Sequence, residues 1–375
     1  MGGPATRPLV SYQPVKVVFQ LAYISSIIIR LPVWAVKSLV PFLRPHPKWT
    51  FKQTLMSRFT YAVIDMGSRC GTTETLSTQT AKEGNRFQMV KAFDSVLYQG
   101  ALNHADTKPA SVGGTWFPQA PGRDIASKTV VLYLHGGAFV QGDGRQNFCR
   151  FVGANFVEYG NVDYLFSVQY RLAGYGLNPF PAAVQDALTA YIFLLTIVRI
   201  EPEQIVLAGD SAGGNLAIAL LRYIQEHGKE LSIPLPKCCV LFSPWTAPYD
   251  LSITKSPNFS TDWLPPSFLR WGADVYGAGM EKPESHRYIT PLGNPFATNV
   301  PIFVNSGTLE VFDQNITKWA KEMMDKGNSV ELHREMGAPH DTILLGDLLG
   351  FEETARDVAA KVGLFVSRQM KPSES

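Results

Sequence analysis

Charge is in short supply along this chain. Asp, Glu, Lys and Arg make up 18% of its 375 residues, against roughly 25% in an ordinary soluble domain. What charge exists nearly cancels, at a net of +2, so no basic field suited to nucleic acid is present. Cysteine is scarcer still. The four thiols, Cys70, Cys149, Cys238 and Cys239, lack the spacing of a disulfide framework, and the adjacent Cys238 and Cys239 fall in a strand-like run that suits buried free thiols. No Cys/His cluster has zinc spacing, and no glycine-rich loop ends in the Lys-Ser/Thr of a nucleotide-phosphate cradle. Internal repeats and low-complexity stretches are also missing. Hydrophobic residues, by contrast, reach 45%. That balance suits a large core, an apolar pocket or a surface resting on lipid.

The longest apolar run lies near the amino terminus, from Val17 to Ile29. It is short for a membrane span, which needs about 20 residues, and extending it to Val36 takes in Arg30 and Pro32. A signal peptide fits poorly, because no A-x-A-like cleavage site follows. Three readings stay open: a cap helix over a site, a monotopic anchor, or a tilted span. A membrane surface is therefore one expected partner. Met1 to Thr6 also matches the loose pattern for N-myristoylation. The expected organisation is an amino-terminal apolar cap or anchoring segment over residues 1–60, then a catalytic domain over residues 61–370.

Residues 66–128, rich in Gly, Thr and Ser, read as short strands and loops. From Thr129 onward, short apolar runs alternate with helical patterns, which predicts an α/β fold with a mostly parallel sheet, flanking helices and a cap or lid. The runs at Val130–Leu134, Leu165–Val168, Ile205–Ala208, Val240–Phe242, Ile302–Val304 and Val330–Leu332 read as strands. Leu216, Leu220, Leu221 and Ile224 recur at helical spacing within a predicted helix over 212–226. The stretch 256–299, full of Pro, Trp and Gly, breaks the alternation and reads as an insertion forming a lid or pocket wall.

Chemistry enters at Gly209-Asp210-Ser211-Ala212-Gly213, a G-x-S-x-G pattern between a predicted buried strand and a predicted helix. A turn that sharp demands small flanking residues, and it lifts the serine hydroxyl to a helix amino terminus, where developing negative charge is favoured. The second signal is His135-Gly136-Gly137-Ala138-Phe139, directly after the first strand. Acyl transfer needs backbone N–H donors aimed at an oxyanion, and only small residues let the main chain approach that closely. Gly136, Gly137 and Ala138 are candidate donors, and Ala212 another. His135 reads as structural.

These two motifs resemble those of the hormone-sensitive-lipase group of α/β hydrolases, marked by HGGG and GDSAG. Tyr170-Arg171-Leu172-Ala173 and Phe180-Pro181-Ala182-Ala183-Val184-Gln185-Asp186-Ala187 are similar to a further block of that group, with a lengthened loop between them. The likeness runs from about residue 129 to 363. Residues before it look only loosely like fungal membrane-associated members, among them sterol-acetate deacetylases. The resemblance implies an α/β-hydrolase fold, with a serine nucleophile, an acid and a histidine in that chain order. Four histidines follow Ser211. His227 reads as a helix cap, His333 falls in a strand and His286 in the insertion. His340 sits in a loop after the last strand and matches the group's catalytic segment. For the acid, offset from the strand at Ile302 selects Glu310. Asp313 is the alternative, with a helix N-cap as its plainer reading.

The expected activity is hydrolysis of a hydrophobic small-molecule ester through an acyl-enzyme, with no metal or cofactor called for. A biosynthetic hydrolase or acyltransferase on a polyketide-type metabolite, and a non-catalytic receptor of the same fold, are the competing expectations. The presence of His340 argues against the receptor. The sequence leaves oligomeric state and compartment open.

Overall fold

The computed structural model describes residues 6–370, so the glycine of the myristoylation pattern lies outside it. Among the described residues, nine α-helices surround one eight-stranded sheet. Two helices come first, α1 (Val15–Leu39) and α2 (Phe51–Cys70). α2 starts on a capping box, with Thr50 accepting from the Gln53 N–H and Gln53 reaching back to the Thr50 N–H. Gly71 stops it at φ +58°. Then follow β1 (Phe87–Val90), β2 (Val112–Phe117), β3 (Val130–Leu134), α3 (Gln146–Tyr159), β4 (Tyr164–Gln169) and α4 (Ala182–Phe193). The chain continues through β5 (Ile205–Asp210), α5 (Ser211–Leu231), β6 (Cys238–Phe242), α6 (Pro266–Tyr276), β7 (Ile302–Gly307) and α7 (Asp313–Asp325). It ends in β8 (Val330–Glu335), α8 (Thr342–Leu349) and α9 (Glu352–Met370).

The sheet order is β1-β2-β4-β3-β5-β6-β7-β8. β1 and β2 pair antiparallel and β2 joins β4 antiparallel, while every later pairing is parallel. Parallel strands must be covered on both faces, which explains their unbroken apolar runs. The pleat then splits each run between two cores. Val130, Leu132 and Leu134 enter the core shared with α4, α5 and α7, whereas Val131 and Tyr133 enter the one shared with α3, α8 and α9. The strands expected from Thr129 onward are all present. The antiparallel pair β1–β2 lies in the stretch expected to hold short strands.

The cap departs from the expected partition. α2 runs through position 60, so a boundary there cuts a helix, and α2 packs against α6 of the insertion and against α8. The first helices and the insertion therefore form one layer over the carboxyl ends of the strands. Those ends are where an open parallel sheet places its ligands.

Candidate active site

β5 ends at Asp210 and α5 begins at Ser211 with no residue between them. Such a reversal tolerates no bulk. A Cβ on Gly209 would collide with the carbonyl of Gly213, and one on Gly213 with the carbonyl of Leu134. One on Gly214 would stand 2.9 Å from the Cβ of Pro244. The turn drives Ser211 to φ +49°, a left-handed conformation costing about 1–3 kcal/mol for a residue with a side chain. The result is a serine at the first turn of a 21-residue helix, 6% exposed.

The loop after β3 approaches the same point from the side. A Cβ on Gly136 would collide with Asp210 Oδ2 and lie 3.1 Å from the Cβ of Ser211, so glycine is what fits there. Gly137, Ala138 and Phe139 take φ of +107°, +51° and +64°, and the loop closes on itself through Val140 and Gln141 N–H groups donating to Gly137 O. Ala138 thus adopts the left-handed conformation that a third glycine would otherwise supply. Its N–H and that of Gly137 have no protein acceptor among the described residues, and Ala212 N–H is an orphan donor of the first helical turn. Gly136 departs from the expectation. Its N–H donates to Asp210 Oδ1 at 2.9 Å, so it braces the loop and is not free for an oxyanion. His135 is likewise a brace: its Nδ1 lies 2.7 Å from Gly136 O, its ring stacks on Tyr170, and Tyr170 hydroxyl donates to His135 O at 2.6 Å.

On the other side, the turn after β8 brings His340 Nδ1 to 2.8 Å from Glu310 Oε2, with 1% and 0% of the two side chains exposed. Glu310 Oε1 accepts from Ser306 hydroxyl at 3.0 Å and from Gly307 N–H at 3.2 Å. Burial lowers the imidazole to about 4. Burial also pushes Glu310 up, against the opposing hydrogen bonds of Ser243, Ser306 and Gly307. Asp313 is elsewhere. It is the first residue of α7 and not its N-cap, and it pairs with Arg334 and the Ser306 hydroxyl. Neither Ser211 Oγ nor His340 Nε2 has a protein partner among the described residues, and neither is sealed from solvent. His227 packs on Tyr223 in α5, His286 on Phe180, and His333 lies in β8.

The arrangement is a strained serine on a strand-to-helix elbow, free backbone donors beside it, and a buried neutral imidazole oriented by a carboxyl group. The model of the alpha/beta hydrolase fold matches residues 131–344, more than half of the chain. The chain belongs to that family. An acetyl-hydrolase of Streptomyces hygroscopicus is 29% identical to this α/β hydrolase over 204 residues, covering 53% of this chain and 63% of the relative. Esterase LipU of Mycobacterium tuberculosis is 36% identical over 150 residues, 38% of this chain and 44% of that one. The chain thus spans about half the length of the curated relatives it matches. Among solved structures, a hormone-sensitive lipase from a metagenome library is 26% identical, with a TM-score of 0.58 over 69% of this chain and 82% of its own. Carboxyl esterase 2 from the mycorrhizal fungus Tuber melanosporum, at 19% identity, shares the fold with a TM-score of 0.58, over 70% of this hydrolase and 84% of the fungal chain.

Several residues around this site carry no signal in the sequence. Asp262, in the insertion, accepts from Val311 N–H at 2.7 Å and His340 N–H at 3.4 Å, and Trp263 Nε1 donates to His340 O at 2.8 Å. The insertion therefore grips the histidine loop. Burial raises Asp262 to about 6, opposed by His340. Asp262 also forms one wall of a cavity of about 340 Å³ between α1, α2 and the insertion, with Trp34, Trp49, Tyr61 and Phe259 among its other walls. Neither Ser211 nor His340 lines it. The chain carries two N-x-Ser/Thr glycosylation sequons, Asn258-Phe259-Ser260 and Asn315-Ile316-Thr317, and both asparagines are internally committed. Asn258 Nδ2 donates to Thr308 O and Glu310 O, and Asn315 Nδ2 to Asp250.

The block Tyr170–Asp186 finds its reason in an ion pair. Arg171 forks onto Asp186 through Nε and Nη2 at 2.7–3.0 Å, and its own N–H donates to the same carboxylate at 2.7 Å. Asp186 is fully buried, while Arg171 keeps 21% of its side chain exposed. Asp186→Ala would strand the guanidinium. The expected loss is about 3 kcal/mol, the low end for a broken buried pair because Arg171 reaches water, measured by urea denaturation. A loss under about 1 kcal/mol would show that this clamp is not what holds the segment.

Proposed function

We propose that this chain is a serine carboxylic-ester hydrolase, in which Ser211 attacks the ester carbonyl and His340 takes its proton. Gly137, Ala138 and Ala212 N–H groups hold the oxyanion, and Glu310 orients the imidazole and stabilises the imidazolium. The alcohol leaves with the proton from His340, and water activated by the same imidazole then releases the acid. The observation that carries this reading is the 2.8 Å contact between His340 Nδ1 and Glu310 Oε2, both side chains buried, beside a serine held at positive φ. Ser211 Oγ and His340 Nε2 both lack a protein partner among the described residues, and in this reading they pair when substrate binds, as catalytic hydrogen bonds that are long in unliganded sites commonly tighten. The proposed substrates are hydrophobic, sterol- or metabolite-like esters of short or medium acids. In support, aromatic walls line the cavity beside the histidine loop, and one relative is named an acetyl-hydrolase. A fluorophosphonate probe should label the wild type at Ser211, and acetyl to octanoyl esters should be turned over. Absence of labelling would sink the reading.

We further propose that α1 lies in the plane of an anionic membrane surface. It is 25 residues long, its most apolar window has a mean hydropathy of 1.6, and only 6% of that window is buried. Val18, Ile28 and Ile29 stand 65%, 63% and 75% exposed. From Met1 to Ile64 the sequence carries eight Lys and Arg residues and no Asp or Glu, which suits anionic headgroups. Lying flat is favoured over spanning because α1 is tied along α2: Lys16 Nζ donates to Thr72 Oγ1 at 3.0 Å and Tyr23 hydroxyl to Asp65 at 2.6 Å. Vesicles containing phosphatidylserine should sediment the protein, and pure phosphatidylcholine vesicles should do so far less. Extraction by alkaline carbonate separates flat from spanning, since a spanning helix stays with the membrane.

A further inference from the structure

Asp210 and Asp341 flank the proposed nucleophile and base, one before Ser211 and one after His340. Both are buried, 0% and 3% exposed, and no Lys or Arg pairs with either among the described residues. Asp210 Oδ1 accepts the hydroxyl of Tyr133 and the N–H of Gly136. Asp210 Oδ2 and Asp341 Oδ1, by contrast, are buried oxygens to which nothing donates. Asp210 pairs with Phe242 across β5 and β6, and Asp341 N–H donates to Oγ of Ser243, the next residue, so the strand ends bring the two carboxyl groups side by side. Two carboxyl groups so placed cannot both ionise, because like charges at that separation in a dry site repel too strongly. One proton between the two orphan oxygens would satisfy both and leave the pair with a single negative charge.

We propose that Asp210 and Asp341 share one proton, and that this pair is a positioning device that holds the oxyanion loop, the nucleophile elbow and the histidine loop in register. The inference rests on the hydrolase reading above. The connections are direct. Asp210 holds Gly136, the residue before the free donors Gly137 and Ala138. Asp341 adopts φ +57°, and its N–H donates to Ser243 Oγ at 3.2 Å, in the turn that leaves β6. Segments about 70 and 130 residues from the elbow in sequence thus meet at one proton.

Its removal should open all three. Other titratable groups facing the pair are Tyr133 from β3, Tyr170 after β4, Cys149 from α3 with Asp143 ahead of it, Glu310 and His340. Burial pushes Tyr133, Cys149 and Tyr170 well above their ordinary range, so they stay neutral. Loss of protons from Glu310 and His340 moves the site toward its working form. Glu335, pushed by burial to about 8, accepts from Thr342 beside Asp341 and is left unchanged by Asp341→Asn, so the alkaline fall that this variant removes is the one that belongs to the pair.

Asparagine at 341 carries a permanent donor toward Asp210 and cannot lose it. Asp341→Asn is expected to keep kcat within about threefold at neutral pH and to abolish the alkaline fall. Asp341→Ala, which leaves Asp210 Oδ2 unsatisfied, should lower kcat by about 10–100-fold with KM nearly unchanged, in the range of a disturbed oxyanion donor. Infrared difference spectra of wild type minus Asp341→Asn at neutral pH should show the C=O stretch of one protonated carboxylic acid. That band is read without turnover, so it judges the pair even if the ester-hydrolase reading fails on fluorophosphonate labelling. Absence of the band, an alkaline fall retained in Asp341→Asn, or equal losses in the Asn and Ala variants would each overturn the proposal.

Discussion

Ser211→Ala is expected to lower kcat on a chromogenic acetyl ester by about 10⁴–10⁶-fold, the loss typical of removing the nucleophile from a unit whose members act together. That is about 5–8 kcal/mol of transition-state stabilisation at 1.36 kcal/mol per decade. KM should move little, because the hydroxyl contributes to bond making and not to the ester's hydrophobic binding. Stability should stay within about 0.5 kcal/mol, since Ser211 Oγ gives up no protein hydrogen bond and alanine bears the same positive φ. A folded variant with little activity therefore isolates chemistry from folding. Residual rate over water would come from Gly137, Ala138 and Ala212 N–H groups, which the substitution leaves in place. A kcat within tenfold of wild type would remove Ser211 from its role.

Parts of this site are legible because steric necessity writes them into the sequence locally. The glycines at 209, 213 and 214 are there because any side chain would strike the backbone or Pro244, so the elbow announces itself as a motif. Parallel strands buried on both faces announce themselves as apolar runs. The partners that braced this frame had no such local signature. Asp262 and Trp263 reach the histidine loop from an insertion that reads only as irregular, and Asp341 is one more acidic residue until the fold sets it beside Asp210. Gly136 shows the opposite limit. Its smallness suggested a donor, but smallness reports only close approach, and the structure spends its N–H on Asp210. In the sequence, offset from a strand is all that favours Glu310 over Asp313. The geometry that separates them is Arg334, from β8, which pairs with Asp313 and leaves Glu310 alone against the imidazole.

Glu310→Gln should be nearly as damaging as loss of the base. A glutamine can present Nε2 to His340 Nδ1 and so favour the tautomer that puts the proton on the wrong nitrogen, and it offers no charge to an imidazolium. The expected fall in kcat is about 10⁴-fold. The pH profile carries a second, separable readout. Burial holds His340 near 4, well below its ordinary 6.5. Below that value the imidazole is protonated and cannot accept from Ser211; above it the base is competent. Activity of the wild type on a neutral ester should therefore begin to climb through about pH 4 as the imidazole is freed, and climb again toward pH 8 as Glu310, which burial raises to about 8, becomes the carboxylate that offsets the imidazolium. The imidazolium formed during acylation pays the same burial penalty, and the carboxylate of Glu310 is the group placed to offset it. A wild-type limb near 6.5 would mean that burial does not depress the imidazole, and the account of Glu310 as the offset to that burial would fail with it.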